Sequence, residues 1–202
     1  MAKIFIICPV RNADPAIQEE IQRYIERLEE AGHHVHWPPR DTDQSDPHGI
    51  QICMDNFDAI LDADRVDVFY DPNSRGSHFD IGMVNALRLL GFKKTVLWVN
   101  NFPRAYLPWN YKPFLTVRTR TDELRYCFEP TGPWSLFEGG MLFALLRLGF
   151  KRKLVLLNDS GVQPTPEKKS FANVFRALAD GRDIAREDAV EILSVLTEEA
   201  GE

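Results

Sequence analysis

The stretch Val66-Asp67-Val68-Phe69-Tyr70, the loop Asp71-Pro72-Asn73-Ser74-Arg75-Gly76-Ser77, the periodic segment to Leu90, then Gly91 and Thr95-Val96-Leu97-Trp98-Val99 decide the fold. A short apolar run closed by Pro and Asn reads as a buried strand. The small polar residues of the loop are turn and helix-cap types. Ser77–Leu90 predicts a helix, Gly91 its stop and Thr95–Val99 the next strand. Strand, helix, strand in that order implies parallel pairing, because a crossover is needed to bring the chain back in the same direction.

The same alternation extends toward the N-terminus. Ile4–Val10 is an apolar run suited to a strand buried on both faces. Asp14-Pro15 opens a helix, Asp as N-cap and Pro at its first position, and Ile17, Ile21, Tyr24, Ile25 and Leu28 recur at helical spacing before Gly32. His33–Trp37 predicts a second strand closed by Pro38-Pro39, residues 41–48 a polar loop, and Ile50–Leu61 another helix. The expected fold class is therefore α/β, a doubly wound and mainly parallel sheet of the Rossmann-like or flavodoxin-like kind. Strands are expected near 4–9, 34–37, 66–70, 95–99 and 153–157, with a further candidate at Phe114–Arg120. Pro164-Thr165-Pro166 precedes two predicted helices, about 168–179 and 186–199, within the C-terminal segment 164–202. No low-complexity linker interrupts the sequence, so 1–202 reads as one domain.

Composition narrows the function classes. The 202 residues are 44% hydrophobic and 27% charged, values of a globular chain. The net charge of −6 argues against nucleic acid as a partner. No apolar run approaches the roughly 20 residues of a membrane helix. The opening residues lack the layout of a cleaved signal peptide, which predicts a cytoplasmic protein without a membrane partner. Cys8, Cys53 and Cys127 are too scattered for a disulfide framework or a zinc ribbon. His34 and His36 share a strand face but have no third ligand at metal spacing, so no metal and no cofactor is expected.

The sequence also matches itself. Residues 64–100 align with 122–158 at a constant offset of 58, without a gap and with thirteen identities in 37 positions. Ser77-His78-Phe79-Asp80-Ile81-Gly82-Met83 faces Ser135-Leu136-Phe137-Glu138-Gly139-Gly140-Met141, and Leu90-Gly91-Phe92-Lys93 faces Leu148-Gly149-Phe150-Lys151. Shared packing needs account for matched apolar positions, but not for a matched Ser-x-Phe-acid-x-Gly-Met at a loop–helix junction. Both copies are expected to be strand–loop–helix–strand units.

In an open parallel sheet, ligands bind beyond the carboxyl ends of the strands. The polar residues expected there include Arg11, Asn12, Ser74, Arg75, Gly76 and Ser77. A helix start with small residues offers backbone N–H groups to an anion, and Arg11 or Arg75 adds charge pairing to a phosphate. Asp80 and Glu138 are the candidate carboxylates. Ser77-x-x-Asp80 and Ser135-x-x-Glu138 also fit a capping box, in which the acid only holds its helix start.

Ala63-Asp64-Arg65-Val66-Asp67-Val68-Phe69-Tyr70, followed by Ser74-Arg75-Gly76-Ser77-His78-Phe79-Asp80-Ile81-Gly82, resembles the nucleoside 2-deoxyribosyltransferase superfamily, which includes nucleoside 5′-monophosphate N-glycosidases. The resemblance covers about residues 3–100. It implies a helix-start carboxylate acting on the anomeric carbon of a sugar, Asp80 in the first copy and Glu138 in the second. It further implies a small-molecule nucleoside or nucleotide as partner and a homo-oligomer. Near the position of a further acid in the family's preceding helix stand Asp55, Asn56 and Asp58. Asp64, at the start of its strand, reads as structural. Two functions are thus expected in competition: an enzyme of the N-glycosidic bond, and a nucleotide-binding or sensing module that keeps the pocket without the chemistry.

Overall fold

The computed structural model describes residues 1–11, 13–46, 49–100, 123–127, 133–149 and 153–157. The candidate strand at Phe114–Arg120, Asn12 and the expected C-terminal helices lie outside the described residues. The elements in chain order are β1 (Lys3–Ile7), α1 (Pro15–Glu30), β2 (His34–His36), α2 (Pro38–Asp41), α3 (Ile50–Asp62), β3 (Arg65–Val68), α4 (Arg75–Leu89), β4 (Thr95–Trp98), β5 (Glu123–Cys127), α5 (Pro133–Arg147) and β6 (Lys153–Leu157). Four strands form one sheet in the order β2-β1-β3-β4, every neighbouring pair parallel. β5 and β6 pair parallel with each other.

The alternation of β1 explains its central place. Phe5 and Ile7 belong to the larger core with Val66, Val68 and residues of α3 and α4. Ile4 and Ile6 belong to a second core with Ile21 and Ile25 of α1. A strand apolar at successive positions must be covered on both faces, and here helices cover both. Where the two central strands begin, Asp64 ties β3 to β1: its carboxylate accepts from the Lys3 N–H at 2.9 Å. That is the structural role its position implied.

α1 begins where the sequence places it. The Asp14 carboxylate accepts from the Ala16 N–H at 2.8 Å, with Pro15 at the first helical position. Pro38-Pro39 does more than end β2: it opens a short helical turn through Asp41, inside what reads as the beginning of a loop. Proline's fixed φ suits a first helical turn, where its missing N–H has no partner to lose.

α4 differs from an ordinary surface helix. Every residue from Ser77 to Leu87 is buried. α3 and the sheet cover one side of it and α5 the other, with Phe143 of α5 edge-on to both Phe79 (5.5 Å between centroids) and Phe57 of α3 (6.1 Å). Glycine makes the α4–α5 crossing possible. A Cβ added to Gly82 would stand 2.8 Å from the Phe137 carbonyl carbon and 3.0 Å from the Met141 nitrogen. A Cβ added to Gly140 would stand 2.7 Å from the Phe79 carbonyl carbon and 3.1 Å from the Met83 nitrogen. The two contacts are reciprocal: each glycine lies against the other helix at the residue three before that helix's own glycine.

Candidate functional site

Asp80 projects from the second turn of α4, and its place corrects the sequence expectation. The helix starts at Arg75, with Ser74 as N-cap: the Ser74 hydroxyl accepts from the Ser77 N–H at 3.4 Å and bonds the Ser77 hydroxyl at 2.7 Å. Ser77 is thus the third helical residue, and Asp80 is neither a helix-start carboxylate nor the acid of a capping box. The expected Ser135 cap is corrected in the same way, since α5 starts at Pro133 and places Glu138 in its second turn. Several cap-type residues stand in a row at 71–77, and hydrogen bonding rather than residue type selects among them.

The Asp80 carboxyl is 9% exposed and lies among Cys8 from the end of β1 and Cys53 and Asn56 of α3. The Asn56 amide donates to Asp80 Oδ2 at 3.3 Å. Burial disfavours the charged form and pushes the carboxyl up to about 7, with the Asn56 hydrogen bond opposing that rise. Burial likewise pushes the Cys8 thiol up to about 12 and Cys53 well above its ordinary value, and the nearby Asp80 adds to both. Behind Asn56 the polar contacts continue. Thr42, 4% exposed, donates its hydroxyl to Asn56 Oδ1 at 3.0 Å, and His36 Nε2 lies 3.0 Å from the same hydroxyl.

A second cluster surrounds the start of α4. His78 is buried, with Nδ1 2.7 Å from the Ser74 carbonyl and Nε2 3.3 Å from the Tyr70 hydroxyl. A carbonyl only accepts, so Nδ1 carries the proton. Burial lowers the His78 pKa, which keeps the ring neutral. Asn100 clamps Tyr70 from the end of β4, accepting from its N–H and donating to its carbonyl, both at 2.8 Å.

The residues expected to hold a ligand divide into two sets. Arg11, Arg75 and Gly76 are exposed, and the first-turn N–H groups of Arg75 and Gly76 have no acceptor within the helix. Nothing lies within 4 Å of a Cβ built on Gly76, so that glycine is not demanded by packing. Ser77 is buried and committed to Ser74. Ser74, Ser77 and Asp80 follow one another at a spacing of three, which lines them along one side of α4. Glu138 is described only by its place in α5, and Asn12 not at all.

Asn56, Thr42, His36 and the two thiols were not expected to meet Asp80. One signal points to Asn56: it occupies the apolar stripe Cys53, Phe57, Ile60 of α3, a core position at which a polar side chain needs a buried partner. Among the described residues no group of three or more His, Cys, Asp or Glu side chains is placed to hold a metal ion. No described helix is long and apolar enough to cross a membrane. Comparison with protein-family models, curated proteins and solved structures finds no match.

Proposed function

We propose that this chain acts on the N-glycosidic bond of a nucleoside or nucleotide, bound at the carboxyl ends of β1 and β3, with Asp80 as the reacting carboxylate. The observation that carries this reading is a buried carboxyl on α4, held by an amide, beside the end of β1. The strand order β2-β1-β3-β4 supports a flavodoxin-like, doubly wound arrangement. The chain leaves β1 in one direction and reaches β3 in the other, and in an open parallel sheet the loops that follow two such strands are where a ligand binds.

The chemistry suits the group. When the bond from the anomeric carbon to the base nitrogen breaks, its electron pair leaves with the base, which takes up a proton, and positive charge develops on the sugar. An ionised Asp80 stabilises that charge or bonds to the anomeric carbon; water or a second base then completes the exchange. The N–H groups of Arg75 and Gly76, with Arg11 and Arg75, suit a 5′-phosphate. Duplication of a half-unit belongs to the same reading. β3-α4-β4 begins at 65, 75 and 95, and β5-α5-β6 begins at 123, 133 and 153, each 58 residues later.

The test is incubation with a panel of nucleosides and 5′-monophosphates, followed by chromatography for free base, with Asp80→Asn as the control. Base release by the wild type and not by the variant is the expected result. One observation favours the binding module instead: a carboxyl titrating near 7 is uncharged in much of the population at neutral pH. Ligand binding without base release on the same panel selects that reading. The homo-oligomer implied by the resemblance is checked by light scattering on the full chain.

A further inference from the structure

We propose that Thr42 and His36 are positioning residues for Asp80: acting through Asn56, they set whether the buried Asp80 carboxyl accepts or donates its hydrogen bond. The inference rests on the reading of Asp80 as the reacting carboxylate, but its content is a hydrogen-bond linkage that exists without substrate.

Donor and acceptor counts fix the direction of each link. The Thr42 hydroxyl has one proton, and it goes to Asn56 Oδ1 at 3.0 Å. Toward His36 Nε2, 3.0 Å away, the hydroxyl can then only accept, so Nε2 carries a proton. With Oδ1 occupied by Thr42, Asn56 presents its NH2 group to Asp80 Oδ2, the arrangement an ionised carboxylate needs. The opposite arrangement reverses every link. A protonated Asp80 donates to Asn56 Oδ1, the turned amide donates to the Thr42 oxygen, and the Thr42 proton goes to an unprotonated His36 Nε2. Thr42, Asn56 and Asp80 are 4%, 6% and 9% exposed, so little water is at hand to satisfy a half-reversed chain.

His36 connects this chain to solvent. Its ring stacks on Phe5 (5.2 Å, 15° between planes) and lines an open groove on the β2 side with Lys3, Asp58 and Asp62. A doubly protonated His36 has no acceptor nitrogen, so it admits only the arrangement that suits ionised Asp80. By reciprocity, ionised Asp80 favours protonation of His36. The charged groups acting on His36 are Asp41, Arg40 and Asp55. Those facing Asp80 are the Cys8 thiol from β1 and the Cys53 thiol from α3, both kept protonated by burial. From α5, the described side chains in the core shared with α4 include Phe137, Met141 and Phe143, none of them titratable.

The test is titration of the full-length protein by NMR, following 13C-labelled aspartate carboxyls, with the Asp80 signal assigned by its loss in Asp80→Asn. Thr42→Val removes the hydroxyl and keeps the shape. The Asp80 midpoint should then rise by about half a pH unit or more, while Thr42→Ser keeps the wild-type midpoint. The reciprocal measurement follows the His36 ring signals, which should titrate at lower pH in Asp80→Asn than in wild type. That second measurement leaves Thr42 intact and stands if the Thr42 variants do not fold. A Thr42→Val titration superimposable on wild type, or a His36 midpoint indifferent to Asp80→Asn, overturns the proposal. Neither titration uses a substrate, so a failure here is distinct from a failure of N-glycosidic chemistry.

Discussion

One proton sets what Asp80 contributes to stability and, under the proposed function, its state for reaction. Its ordinary value of 3.8 holds in the unfolded chain, and burial raises the folded value to about 7. Between those values the folded state binds the proton more tightly. The stability contributed by neutral Asp80 is thus fully present below about 4 and is lost as pH climbs to about 7. Asp80→Asn removes the buried charge, so its melting temperature should exceed that of wild type at pH 8 and approach it near pH 4; thermal unfolding at the two pH values checks this. An unchanged difference across the range would mean that Asp80 is not buried as described. For base release, a reacting carboxylate must be ionised. kcat/KM should therefore rise with pH and level off above about 7, whereas a general acid would give a falling limb there. Under the proposed function, Asp80→Asn should reduce turnover by on the order of a hundredfold or more, and Glu138→Gln should cost little; the reverse pattern would assign the reacting carboxylate to Glu138.

Helix contacts depend on atoms that are missing. Gly82 and Gly140 let the α4 and α5 backbones meet, and the atoms a Cβ would strike are main-chain carbonyls and amides rather than movable side-chain ends. Relieving such an overlap means displacing a helix. Gly82→Ala and Gly140→Ala should each destabilise the protein by about 1–3 kcal/mol or more, as overpacking in a core does, measured by denaturant unfolding. Gly76→Ala is the contrast. It has open space around it within a helix, where alanine is the better former, so its stability should be unchanged or raised by up to about 1 kcal/mol. If a phosphate approaches the Gly76 N–H, the same variant weakens nucleotide binding while leaving the melting curve intact; calorimetric titration with a 5′-monophosphate separates the two effects.

At the scale of the molecule, α4 is the hub. It packs against α3, the sheet and α5, and all of its residues from Ser77 to Leu87 are buried. Hydrogen exchange should find residues 79–87 as strongly protected as β1, and Gly140→Ala, a change in α5, should lower protection in α4 as well. Loss confined to residues 133–147 would show that the two helices are not coupled.

Much of this architecture was legible along the chain, and the rest was not, for physical reasons. β1, α1 with its Asp14 cap, and the positions of β3 and β4 were readable because a buried strand and a capped helix are local patterns, written within five to sixteen residues. The start of α4 was readable only to within three residues, since Ser74 and Ser77 are equally good cap types and only the hydrogen bond between them decides. Asp80 was legible as a candidate, but its neighbours were not. Asn56 is 24 residues away from it and Thr42 a further 14, and nothing local says which distant side chains a fold will enclose together. The repeated Gly82 and Gly140 were visible as identities, whereas their purpose needed two helices in contact. By itself the sequence determined β1, α1, α3, β3, α4 and β4 and that the strands among them run parallel, because propensity and apolar period act between near neighbours. Only the tertiary structure decided the state of Asp80, because desolvation is the combined effect of every group that excludes water from it.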